Sequence, residues 1–122
     1  MKKKALVVDD NPNNLLLEKD LLEVAGLEVF TAENAASGID IAKREKPNVI
    51  VMDMRLPDMA GTEAAKILRK EKETSDIFIV FVTASVMAGT GIEEISTIPN
   101  SKFLSKPVNT RTFAKEVCQF IK

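Results

Sequence analysis

Three runs of consecutive apolar residues constrain this chain more than any other feature: Ala5-Leu6-Val7-Val8, Val49-Ile50-Val51-Met52 and the stretch from Ile77 to Val82. Each is too short for a core helix. None alternates polar with apolar residues, so each reads as a strand covered on both faces. Such strands need helices above and below them, and the intervening sequence supplies helical spacing. Asn11 and Pro12 read as cap and first turn of a helix whose inner stripe is Leu17, Leu21 and Ala25, ended by Gly26. Residues 27–31 read as a short strand. Ala35, Ile39 and Ala42 mark a second helix that stops before Pro47. Ala64, Ala65 and Leu68 mark a third, running to about Lys72.

The alternation continues to the end of the chain. Ile92 and Ile95 give residues 86–98 helical spacing, although Gly89 and Gly91 each cost a helix interior about 1 kcal/mol relative to alanine. Residues 102–105 form a last short strand. Asn109 caps a final helix that turns Phe113, Val117, Phe120 and Ile121 inward. The pattern predicts one α/β domain over residues 1–122, a doubly wound five-stranded parallel sheet with helices on both faces. The strand order 2-1-3-4-5 fits best, because it puts the most apolar strands near the centre. Ligands of such sheets bind beyond the carboxyl ends of the strands, where the winding reverses, here between strands one and three.

The residues at those ends are polar. Strand one runs into Asp9-Asp10, strand three into Asp53, strand four into Thr83-Ala84-Ser85 and strand five into Ser105-Lys106-Pro107. Taken singly, each has a plain structural explanation. Asp10 can cap the first helix, Thr83 suits a strand as a β-branched residue, and Lys106 suits a surface. Asp53 is harder to dismiss, since an unpaired carboxylate ending a buried strand is costly. As a set from four segments, they predict three carboxylates and an ammonium at one sheet edge. Close carboxylates repel, and a hard divalent cation relieves the repulsion. Magnesium suits one or two direct carboxylates with room for a phosphate oxygen. Thr83 adds a hydroxyl donor and Lys106 a point charge. This chemistry fits phosphoryl transfer with a carboxylate nucleophile.

Composition removes the competing chemistries. There is no histidine and only Cys118, which excludes the usual zinc sites, Ser-His and Cys-His catalysis, a histidine general base and an internal disulfide. Cys118 itself reads as a small hydrophobe beside the inner face of the last helix. Lys plus Arg number 17 against 18 Asp plus Glu, so no basic excess points to nucleic acid. The basic start, Met1-Lys2-Lys3-Lys4, leads into only four apolar residues, too few for a signal-peptide core. No later run is long enough for a membrane span. A cytoplasmic protein is expected.

These residues together resemble the receiver domain of two-component response regulators. The resemblance spans the whole chain and rests on Val7-Val8-Asp9-Asp10-Asn11, Met52-Asp53-Met54-Arg55-Leu56-Pro57, Gly61, Thr83-Ala84 and Lys106-Pro107. It carries the flavodoxin-like strand order, so that expectation rests partly on it. It implies that Asp53 accepts a phosphoryl group from a phosphohistidine on a sensor histidine kinase or histidine phosphotransfer protein. It implies Mg²⁺ held by Asp10, Asp53 and the Arg55 carbonyl, with Asp9 acting through a bound water. Lys106 would pair with the phosphoryl oxygen, Thr83 would turn onto it, and Phe103 would stand where the family carries its aromatic switch. It further implies a cis Lys106-Pro107 bond, and a partner surface over residues 86–100. Signalling to a downstream protein target is then expected, with no attached output domain, no nucleic acid, no membrane and no turnover of a separate substrate.

The departures from the family pattern are local. Ala60 stands where a capping Asp, Asn or Ser is usual, leaving the third helix uncapped unless Asp58 supplies the group. Position 103 is Phe where Tyr is commoner. The approach to the last strand lacks the usual small-residue stretch. Other classes fit less well. A receiver module cut from a hybrid kinase stays open. A flavodoxin-like electron carrier lacks Trp and Tyr to stack on a flavin. A haloacid-dehalogenase-like phosphatase needs an acid two residues after Asp53, where Arg55 stands.

Overall fold

The alternation resolves into a five-stranded parallel sheet of order β2-β1-β3-β4-β5 in the computed structural model of the chain. The structure describes residues 2–83, 98–105 and 108–121. The strands are β1 (Lys4–Val8), β2 (Glu28–Ala32), β3 (Val49–Asp53), β4 (Phe78–Thr83) and β5 (Ser101–Ser105). The helices are α1 (Pro12–Val24), α2 (Ala35–Glu45), α3 (Gly61–Lys70) and α4 (Phe113–Cys118). Strand order and strand positions are as expected from the sequence, to within a residue at the strand ends. Lys106, Pro107, the helix expected over 86–98 apart from Ile98, and most of the expected partner surface lie outside the described residues, as does the isomer of the Lys106-Pro107 bond.

Alternate residues of each strand feed opposite faces. Leu6, Val8, Ile50, Met52, Ile79 and Phe81 pack against Ala35 and Ala42 of α2 and Ala64, Ala65 and Leu68 of α3. Ala5, Val7, Val49, Val51, Val80 and Val82 face Leu22 of α1 and Phe113 and Val117 of α4. Alanine and glycine let α2 lie close to the sheet: a Cβ on Gly38 would stand 2.8 Å from Cγ2 of Val8.

The helix ends follow from local chemistry. Asn11 accepts from the N–H groups of Asn13 and Asn14 at 2.9 and 3.2 Å, and Pro12 occupies the first turn. Beyond α1, Gly26 takes the left-handed conformation, φ 97°, and its N–H donates to the Glu23 carbonyl. Arg69 of α3 fastens the entry to β5. Its Nε and Nη2 donate to the Pro99 carbonyl at 3.0 and 2.8 Å, and Nη2 also reaches the Asn100 carbonyl at 3.1 Å.

Three expectations are corrected. The inner stripe of α1 is Leu15, Glu18, Leu21 and Leu22, whereas Leu17 is 39% exposed and Ala25 is an exposed cap. The leucine-rich helix offers two stripes, and the buried one contains Glu18, only 2% exposed, a residue that a hydrophobic pattern passes over. The cap of α4 is Thr112, without a side-chain bond, because the Asn109 carboxamide accepts instead from Arg111 N–H in the preceding turn. Phe120 lies beyond the helix, stacked on Phe78 with centroids 4.5 Å apart. Finally, α3 ends at Lys70, and Thr74 closes its last turn by donating from its hydroxyl to the Leu68 carbonyl at 2.5 Å.

Candidate functional site

The winding reverses between β1 and β3, which pair in parallel from Ala5↔Val49 to Val8↔Met52. Their carboxyl ends therefore lie side by side. Just beyond them, Asp9, Asp10 and Asp53 each place one carboxylate oxygen within 4.8 Å of the others. Asp9 is 1% exposed, Asp53 half-buried and Asp10 exposed, so the cluster runs from the sheet edge to solvent. Two like charges at this range repel by about 1 kcal/mol in water and severalfold more where water is partly excluded. The donors are all hard oxygens, which fits a hard dication and excludes a site built for a soft metal.

Backbone groups hold the carboxylates in place. The Asp9 N–H donates to the Ala32 carbonyl at 3.1 Å, and one Asp9 oxygen accepts from Asn11 N–H at 2.9 Å. One Asp53 oxygen accepts from Arg55 N–H at 3.1 Å, while the Met54 N–H is tied to the Val82 carbonyl. The chain then folds back, with Arg55 bridging Ala60 and the Gly61 N–H donating to the Met54 carbonyl at 2.8 Å. Gly61 is required here. A Cβ at this position would fall on the Asp53 carbonyl oxygen and within 3.1 Å of the Met54 Cα. Thr83 ends β4 one strand away from Asp53, buried to 6% exposure and in register with Ser105. The Arg55 side chain is exposed, and Phe103 on β5 is 40% exposed, unusual for so large an apolar group.

The comparison with known families decides the matter. Residues 5–118 match the response regulator receiver domain. This chain belongs to that family. The polar-differentiation response regulator DivK of Brucella anthropi is 31% identical over 121 residues, 99% of this chain and 98% of that protein. The chemotaxis response regulator CheY4 of Vibrio cholerae superposes with a TM-score of 0.90 at 26% identity, covering 99% of this receiver and all of that one. The receiver domain of a sensor histidine kinase from Pseudomonas aeruginosa shares the fold, with a TM-score of 0.88 at 23% identity over 98% of both chains. That protein carries a magnesium ion in its active-site cleft. Among the described residues of the present receiver, no helix is long and apolar enough to cross a membrane.

Of the residues singled out in the sequence, the structure brings together Asp9, Asp10, Asp53 and the Arg55 backbone, with Thr83 on the neighbouring strand. Lys106 is outside the described residues. The residue whose role sequence reasoning missed is Asp58. Ala60 caps α3 without a side-chain bond, as expected, but Asp58 does not compensate for it. Its two oxygens accept from Ala35 N–H and Ala36 N–H, each at 2.9 Å, at the start of α2. Those two bonds hold the Asp58 carboxyl below the usual carboxylate range. No local pattern signals a contact spanning 22 to 23 residues.

Proposed function

We propose that this receiver accepts a phosphoryl group onto Asp53 from a phosphohistidine of a sensor histidine kinase or histidine phosphotransfer protein. The modified chain then changes its contacts with a downstream protein in the cytoplasm. The observation that carries this reading is the meeting of Asp9, Asp10 and Asp53 within 4.8 Å at the edge where the winding reverses. In the transfer, an Asp53 oxygen bonds to phosphorus as the phosphorus–nitrogen bond to the donor breaks, and that bond's electron pair returns to the imidazole. The Arg55 N–H pins one Asp53 oxygen and so fixes the plane of the carboxylate. In this reading Asp10, Asp53 and the Arg55 carbonyl would hold Mg²⁺, and Asp9 would act through a bound water. When bound, the ion offsets negative charge on the phosphoryl oxygens. Thr83 donates its hydroxyl to the transferred group, Lys106 pairs with one of its oxygens, and Phe103 serves as the aromatic switch.

The test is labelling with acetyl phosphate or beryllofluoride, followed by mass spectrometry or fluorine NMR. Modification is expected with Mg²⁺, not after chelation, and not in Asp53→Asn. Undiminished labelling of that variant overturns the assignment.

A further inference from the structure

Asp58 lies five positions beyond Asp53, in the loop between β3 and α3, and plays no part in the chemistry described above. Its carboxylate grips two consecutive backbone donors of another element, Ala35 N–H and Ala36 N–H, both at 2.9 Å. The third donor of that turn, Ser37 N–H, is already taken by Asn34 at 2.8 Å. A carboxylate is well placed there, because the first turn of a helix carries partial positive charge.

The bonds around Asp58 form a closed circuit. Asp9 N–H is tied to the Ala32 carbonyl at the end of β2. Three residues later, α2 begins and is gripped by Asp58. From Asp58 the chain returns through Pro57, Leu56, Arg55 and Met54 to Asp53, whose carboxylate meets that of Asp9. The end of β1 and the end of β3 are thus braced a second time, through the β2–α2 corner. Within the loop, Gly61 N–H and Arg55 N–H secure its base. Leu56 and Met59 pack their side chains on the core, and Leu56 N–H donates to the Met59 carbonyl at 3.3 Å. Asp58 adds the polar tie that fastens the loop tip to a separate helix.

We propose that Asp58 is a positioning residue for the metal site: by clamping the loop tip to α2, it sets the placement of the Arg55 carbonyl relative to Asp53 and Asp10. This inference rests on the Mg²⁺ reading above. Groups that orient metal ligands typically change metal affinity by 10- to 100-fold when removed. Asp58 is exposed and acts on Arg55 through two intervening residues, so the lower end, about tenfold, is expected here.

The experiment is a Mg²⁺ titration followed by NMR on the intact chain, combined with amide exchange at Ala35 and Ala36. Asp58→Ala is expected to weaken Mg²⁺ binding about tenfold and to speed exchange at both amides, with core strands still protected. Asp58→Asn keeps one acceptor and is expected to fall between alanine and wild type. Asp58→Glu, which preserves both oxygens, is expected to recover much of the affinity. Fast exchange at Ala35 and Ala36 with Mg²⁺ affinity within twofold of wild type, about the error of such a titration, would reduce Asp58 to a helix cap and overturn the proposal. A wild-type chain without Mg²⁺ affinity would overturn the metal reading and this inference with it, whereas affinity that ignores position 58 overturns this inference alone.

Discussion

The Asp53 carbonyl oxygen occupies the space that a Cβ on Gly61 would need. The first residue of α3 is therefore packed directly on the backbone of the residue read as phosphoacceptor. The contact is backbone on backbone, so no side-chain rotation can relieve it. Gly61→Ala must shift either β3 or the start of α3. A loss of about 2 kcal/mol or more is expected, at the upper end of ordinary point substitutions. Urea unfolding reads the stability, and the Asp53 amide shift reads the displacement. An unchanged midpoint would mean that the loop yields at no cost.

Arg55 should govern how long the phosphoryl group survives. Its backbone is fixed to Asp53 while its side chain is exposed. A guanidinium there would pair with phosphoryl oxygens and obstruct attacking water. Arg55→Ala is expected to hasten autodephosphorylation about two- to fivefold, the kinetic equivalent of an exposed ion pair. Slower loss would instead make Arg55 a stabiliser of the hydrolytic transition state.

Ala60 is the N-cap of α3, with extended backbone geometry and no side-chain acceptor. Ala60→Asp supplies one, and a gain of about 0.5–1 kcal/mol in unfolding free energy is expected. Ala60→Ser provides the same acceptor without charge. A gain with Ser but none with Asp would trace the difference to repulsion from the nearby carboxylate cluster.

The Asp58 grip on α2 should be sensitive to acid. Its carboxyl is held below the usual range by the Ala35 and Ala36 N–H groups. The folded state therefore binds that proton less readily than the unfolded chain. The resulting stabilisation is complete above the ordinary carboxylate pKa and is lost as pH falls through the lowered one. The stability gap between wild type and Asp58→Ala is expected to be constant near neutrality and to narrow below about pH 4. Urea midpoints across that range check it, and a gap independent of pH would exclude the ionised grip as its source.

Much of this architecture was legible because its strands are continuous apolar runs. Residues such as Val49 to Met52 leave little choice but a strand covered on both faces, and their polar successors mark one edge. The phase of α1 was not legible, since the buried Glu18 sits where a hydrophobic stripe admits no acid. The start of α4 was misplaced because Asn109 serves the preceding turn, a use that leaves the same residue type in the sequence. The Asp58 link joins positions too far apart for any local periodicity to register. Asp9, Asp10 and Asp53 were recognisable as a group only because the topology of a doubly wound sheet brings strand ends together.

The pairing of β1 with β3 has a further consequence. Asp10 and Asp53 are neighbours only once β1 and β3 have paired, so a chain in which that pairing is absent holds no complete acidic cluster. An ion that prefers the assembled cluster draws molecules out of the unfolded population in proportion to its concentration over its dissociation constant. Acceptance of a phosphoryl group would then report on the pairing of β1 with β3, and a chain that loses that pairing would fall silent rather than signal falsely.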